Sequence, residues 1–185
     1  MAYRPLSRIF TPAALTVSPV TLQAMKGHLR VTYAQEEAEI EAYILAATDA
    51  VERKTKRLLQ SRSAVLRLAC MPTGQEPIEL PGGTVASVTS VTVDGVAVTG
   101  ATAVGDSPAV LVPAADWPAA VAEGYPVVIT YVVGYTTVPQ ALVHAIKLLA
   151  ADLFMRRNNS DEASLAEIPM SAGYLMDDFR IWGAA

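Results

Sequence analysis

The chain has 185 residues, of which 52% are hydrophobic and 17% charged, and a net charge of −4. That length suits one compact domain, or a domain plus a small insert, and the apolar content excludes a disordered chain. No apolar run approaches the roughly 18–20 residues of a membrane span, and the acidic balance lacks the basic face of a general nucleic-acid binder.

Much of the apolar content is Ala and Val, so the core is thin per residue and stability leans on partner subunits. The single cysteine, Cys70, can form neither an internal disulfide nor a thiolate metal site alone. Its apolar neighbours Ala69 and Met71 predict a small buried hydrophobe.

Residues 1–17 read as an extended arm, because Pro5, Pro12 and Pro19 prevent a continuous helix. Arg4 and Arg8 either reach a neighbour or belong to a frayed terminus. The stretch 9–17, broken by Pro12, makes a poor secretory leader, so the expectation is a protein made and used in the cytosol. A short helix follows. Thr21 is its N-cap, Val20 and Met25 form a hydrophobic staple, and Leu22, Met25 and Leu29 share a face that Gly27 weakens.

The second helix is predicted over 35–59, with Ile40, Ile44, Ala47, Val51 and Leu58 as its buried stripe. Glu36, Glu37, Glu39 and Glu41 crowd its start, and Arg53, Lys54, Lys56 and Arg57 its end, complementing the helix macrodipole. On pattern alone this is either a well-solvated helix or a pair of poles for head-to-tail contact between identical subunits.

Between residues 61 and 135 the period changes to two. Ala64, Leu66, Leu68 and Cys70 alternate along one strand, and 85–93, 109–112 and 127–133 read as others. Pro72-Thr-Gly and Leu80-Pro-Gly-Gly are turns, and Asp94-Gly95 between apolar flanks signals a two-residue hairpin. The segment is a small antiparallel β unit.

A third helix starts near Pro139, a residue suited to the first helical position. It presents Leu142, Ile146, Leu149 and Leu153 on one face and stops at Arg156-Arg157. Residues 158–168 read as an exposed polar loop. A last short helix is capped by Ser171 and carries Leu175, Met176, Phe179, Ile181 and Trp182. So apolar a tail either returns to the chain's own core or fills a groove on a partner.

The fold class is therefore α+β: mainly helical, three to four helices, with an antiparallel β unit inserted between the second and third. The expected organisation is an arm (1–17), one domain (18–157) holding the insert (61–135), and a docking tail (158–185).

No chemistry emerges from the motifs. His28 and His144 each lack a His or carboxylate three or four residues away, and read as surface or edge residues, not ligands. There is no Gly-x-Ser-x-Gly, no Walker A loop and no Gly-x-Gly-x-x-Gly after a strand. Pro81-Gly-Gly-Thr84 precedes a strand and not a helix, so it cannot cradle phosphate. Glu36-Glu37 and Asp177-Asp178 are sequence neighbours that point different ways on a helix.

The ordered elements carry more information than any one residue. "His28-Leu29-Arg30-Val31" precedes "Glu36-Glu37-Ala38-Glu39-Ile40" and a long helix with a basic end. The β region holds "Leu80-Pro81", "Val88-Thr89-Ser90-Val91" and "Asp94-Gly95", and closes with "Val132-Val133-Gly134-Tyr135" and "Val138-Pro139". "Ala145-Ile146-Lys147-Leu148-Leu149-Ala150-Ala151" runs to "Arg156-Arg157", and the chain finishes with "Phe179-Arg180-Ile181-Trp182". From about residue 20 to 182 this resembles the head–tail connector (adaptor) family of long-tailed double-stranded DNA phages, prophages and gene transfer agents. Gly27 and Asn158-Asn159 depart from the pattern.

The resemblance implies a structural, non-enzymatic subunit of a homo-oligomeric ring, commonly twelve-fold, in the neck of a virion or phage-like particle assembled in the bacterial cytoplasm. Its implied partners are the portal protein above and a stopper or other tail component below. DNA passes through the channel without specific binding, and no cofactor, metal or membrane is involved. Under this reading Glu36, Glu37, Glu39 and Glu41 with Arg53, Lys54, Lys56 and Arg57 are ring-contact candidates. Leu175, Phe179, Ile181 and Trp182 are candidates for docking on the portal or a neighbour. Competing readings are another neck or tail part (stopper, tail terminator or baseplate component), a small hydrolase with a discontinuous site, and a monomeric ligand-binding module.

Overall fold

A computed structural model of the chain describes residues 8–70, 72–106, 108–120, 124–156 and 170–182. These fall into two compact units, one of residues 8–14 and 61–135, the other of residues 15–60, 136–156 and 170–182. The class is α+β, with four helices and antiparallel sheets among the described residues, and the strands fall largely between the second and third helices.

The β unit holds β1 (Arg8–Pro12), β2 (Arg62–Leu68), β3 (Ile78–Leu80), β4 (Val85–Val93), β5 (Val96–Ala97), β6 (Thr102–Val104), β7 (Ala109–Val112) and β8 (Val127–Val133). They form a five-stranded sheet in the order β1-β2-β8-β4-β5 and a three-stranded sheet in the order β3-β7-β6. Strand β8 lies at the centre of the larger sheet, pairing Ile129 with Leu66 on one side and with Val91 on the other. Its alternation buries Val127, Ile129, Tyr131 and Val133 on one face.

Asp94 (φ 51°) and Gly95 (φ 80°) both take the left-handed conformation, which is the two-residue turn whose twist suits a hairpin. At the Pro81-Gly82 turn, Gly82 has φ 102°, and a Cβ there would lie 3.1 Å from Phe10 Cζ and 3.2 Å from Val133 Cγ2, so only glycine fits. The Tyr131 hydroxyl donates to the Pro81 carbonyl at 2.8 Å. Burial holds that phenol well above its ordinary pKa, and Arg8 pulls it weakly the other way.

Three local expectations change. Part of the arm, Arg8–Pro12, is an edge strand of the larger sheet, where prolines are tolerated because no inner ladder bond is lost. Strands β3 and β6, three residues each, arise where the sequence pattern assigned no strand. Cys70 is exposed, because β2 ends at Leu68 and the chain bends before the next inward position. Residues 1–7 and the 158–168 loop lie outside the described residues.

The helical unit holds α1 (Leu22–Leu29), α2 (Glu37–Thr55), α3 (Gln140–Met155) and α4 (Met170–Asp177). Thr21 caps α1 as its type predicts, accepting from the Ala24 amide at 3.2 Å. Val20 and Met25 are both buried. The α2 stripe Ile40, Ile44, Ala47 and Val51 is buried, as are Leu142, Ala145, Ile146 and Leu149 of α3, the helix against which α2 packs. Ser18, ahead of α1, is tied to α2. Its hydroxyl accepts from the Val20 amide and lies 2.9 Å from the Thr48 hydroxyl, which itself donates to the Ile44 carbonyl.

Helix α2 stops at Thr55, short of the expected residue 59, because Lys56 turns left-handed (φ 56°). Leu58 is buried, but from the segment after the helix. Pro139 is the N-cap and not the first helical residue, Leu153 lies exposed beyond the buried stretch of α3, and Ser171 falls inside α4, which already begins at Met170. No helix among the described residues is long and apolar enough to cross a membrane.

Candidate interaction surfaces

The charged candidates occupy the two ends of α2. Nineteen residues at 1.5 Å each separate those ends by about 28 Å, so they are two poles and not one site. Several already have partners within the subunit. Glu37 accepts from Lys26 Nζ of α1 at 2.6 Å. Glu39 accepts from the Tyr43 hydroxyl at 2.7 Å, and Arg53 pairs with Asp49 at 3.1 Å. Glu36, at the N-cap position, is half-buried, as is Lys54. Glu41 at one pole and Lys56 at the other are exposed.

The basic pole is built by a buried carboxylate. Glu52, 7% exposed, accepts from the Leu59 amide at 2.8 Å. Glu52 thereby caps the chain after the left-handed turn at Lys56 and fixes how Arg57 leaves the helix.

Arg57 then meets the other candidate set. Its Nε donates to the Phe179 carbonyl, and the Ile181 amide donates to the Thr55 carbonyl at 3.0 Å. The tail following α4 is thus hydrogen-bonded to the C-terminal end of α2. Leu175, Phe179 and Ile181 are half-buried, while Trp182 is 73% exposed with the Arg180 guanidinium 4.3 Å over its ring. Pattern reading missed the companions of Trp182 on this segment. Met170 is 91% and Tyr174 80% exposed, four residues apart on α4. Their signal was available: two large apolar side chains at i, i+4 on a helix whose buried positions are Ala172 and Met176.

The poles and the tail suit contact with other macromolecules. They offer separated surfaces of opposite charge and one of exposed aromatics.

Residues 19–97 match the model of the phage gp6-like head-tail connector protein family. A chain from the neck of an empty gene transfer agent (GTA) particle, computed with C6 symmetry, superposes with a TM-score of 0.78 at 25% identity, covering 96% of this chain and 97% of that one. A chain from the virion of a native GTA particle (TM-score 0.72, 24% identity, 98% of each chain) shares the fold. So does one from the neck of a native GTA particle computed with C12 symmetry (0.70, 24%, 94% and 97%). No curated protein matches the chain. The resemblance to head–tail connectors read from the sequence is borne out, and the matches support a structural connector role in a phage-like particle neck.

Proposed function

We propose that this chain is an adaptor subunit that closes, with its own copies, into a ring below the portal, extends the DNA channel and joins the capsid to the tail. The carrying observation is the near-complete overlap with a chain of a GTA particle neck. That chain's neck was computed with C6 symmetry. The fold-sharing neck chain comes from a reconstruction with C12 symmetry, and twelve copies is the number proposed here.

A cyclic ring uses two different patches on each subunit. The acidic and basic poles of α2 supply such a pair: Glu36, Glu37, Glu39 and Glu41 on one subunit meet Arg53, Lys54, Lys56 and Arg57 on the next. The tail supplies the docking element. Leu175, Phe179 and Ile181 seat it, and Trp182, like Met170 and Tyr174 of α4, presents a large exposed side chain of the kind that concentrates binding energy. The portal or a neighbouring subunit covers them, and a stopper or other tail component binds the opposite end of the ring. DNA slides past without specific contacts, so Glu and Asp outnumber Lys and Arg on the lumen face. The particle is assembled in the bacterial cytoplasm and the chain acts as a structural protein, not an enzyme.

Replacing the exposed Trp182 and Tyr174 together by Ala tests this reading. The expected product is a folded subunit whose particles lack tails; variant particles that still acquire tails would overturn the docking role.

A further inference from the structure

The five-stranded sheet has two outer strands, β1 and β5, and one row of residues crosses it from edge to edge. Arg8 lies opposite Leu68, Leu68 opposite Val127, Val127 opposite Val93, and Val93 opposite Val96. The point at which residues 1–7 meet β1 is therefore level with the start of β5. Beside β5 is a groove of about 480 Å³ whose lining includes Val93, Asp94, Val96, Val98, Pro118 and Ala119. We propose that this groove and the outer edge of β5 take residues 1–7 of a second copy of the chain, so that each arm is held by the next subunit. The inference rests on the ring proposed above.

Strand β5 presents an unguarded edge. Val93 faces Val96, and the Val98 amide donates to the Val91 carbonyl at 2.8 Å. The antiparallel alternation then turns the N–H and C=O of Ala97, between them, away from β4. Val96 is 69% exposed, and residues 96–99 carry neither charge nor proline, the usual guards of an open edge. An added extended segment satisfies such an edge through its main chain.

Charge identifies the segment. Residues 68–146 hold Glu76, Glu79, Asp94, Asp106, Asp116 and Glu123 but no Lys or Arg. Residues 1–35 hold Arg4, Arg8, Lys26 and Arg30 but no Asp or Glu. Asp94 lines the groove and is exposed, as is Asp116, two positions before the lining Pro118. Tyr3 and Leu6 match the apolar lining, and Arg4 matches its acidic rim.

Length identifies the copy. Strand spacings of about 4.8 Å place β5 roughly 19 Å from β1, and residues 1–7 extend over at most about 24 Å. The chain's own arm would use about six residues in crossing the end of its sheet and leave about one for the groove. A neighbour that turns its β1 edge toward this β5 edge can lay the whole segment there. Contact between unlike edges is the heterologous kind that closes a ring.

The test uses assembled particles carrying the full chain with Cys70→Ser, which removes the exposed thiol. Leu6→Cys and Val96→Cys are placed in separate chains, co-assembled and treated with a short bismaleimide. Linked dimers of the chain are expected, and none from particles holding only one of the two substitutions. Asp94→Asn, which suits the same left-handed turn, should reduce their yield severalfold. Both cysteines placed in one chain expose the other occupant: a link within single chains, with no dimers from the mixture, assigns the groove to the chain's own arm and overturns the proposal. Necks that contain the chain but yield no link also overturn it and leave the ring intact; parent necks without the chain overturn both.

Discussion

The Nε of Arg57 donates to the backbone carbonyl of Phe179, a residue 122 positions later in the chain. One side chain of the basic pole therefore holds the tail from which Trp182 projects, and the two candidate surfaces share a hydrogen bond. Arg57→Ala removes it and leaves Ile181 N–H to Thr55 O as the remaining backbone tie described for this segment. The expected cost is local, about 1 kcal/mol, or about fivefold faster hydrogen exchange at the Ile181 amide with an unchanged global melting temperature. Unaltered exchange at Ile181 would show that Arg57 does not hold the tail.

Glu52 carries the turn that places Arg57. Its carboxylate is buried and accepts from the Leu59 amide. Glu52→Ala leaves that amide without its acceptor, and denaturant unfolding should show a loss of about 1–3 kcal/mol. Glu52→Gln keeps an acceptor oxygen and should recover part of the loss. Equal stability of Glu52→Ala and the parent would mean that the turn stands without the carboxylate.

Tyr131 predicts an alkaline limb. Burial raises its folded-state pKa above the unfolded value of about 10. The neutral phenol's contribution is therefore full below about pH 10. It declines as pH rises further, because the unfolded chain then binds fewer protons than the folded one. Tyr131→Phe should flatten this limb above pH 10. At neutral pH it should cost about 1 kcal/mol for the lost bond to Pro81. An alkaline limb of the same slope in Tyr131→Phe would assign it to other groups.

Much of this architecture was legible in the sequence, for identifiable reasons. Thr21 caps α1, Asp94-Gly95 turns a hairpin, and 109–112 and 127–133 are strands, because local chemistry decides each. Elements settled by distant partners were not legible. Arg8–Pro12 is a strand because Ala64–Leu68 offers a free edge, and a proline-bearing arm carries no such signal. Helix α2 ends early because Glu52 reaches forward to Leu59, and periodicity alone runs through to Leu58. The charged poles were readable as charge, but the pairing of Glu37 with Lys26 and of Arg57 with Phe179 needed the tertiary structure.

The ring contact predicts a charge-reversal pattern. Glu41 and Lys56 are exposed at opposite poles. Glu41→Lys should slow ring assembly on particles, most at low salt, and Lys56→Glu in the same chain should restore it in part. Glu41→Lys should change the stability of the isolated subunit by no more than about 0.5 kcal/mol. Assembly unaffected by Glu41→Lys would remove Glu41 from the interface.

The central claim is tested most directly by cryo-electron microscopy of an assembled particle's neck, at a resolution that traces α2. The predicted result is a closed ring of this chain below the portal, with the Glu41 end of α2 facing the Lys56 end of its neighbour and Trp182 buried against the portal or an adjacent subunit. A neck without this chain, or a ring in which both ends of α2 and Trp182 face solvent, would contradict it.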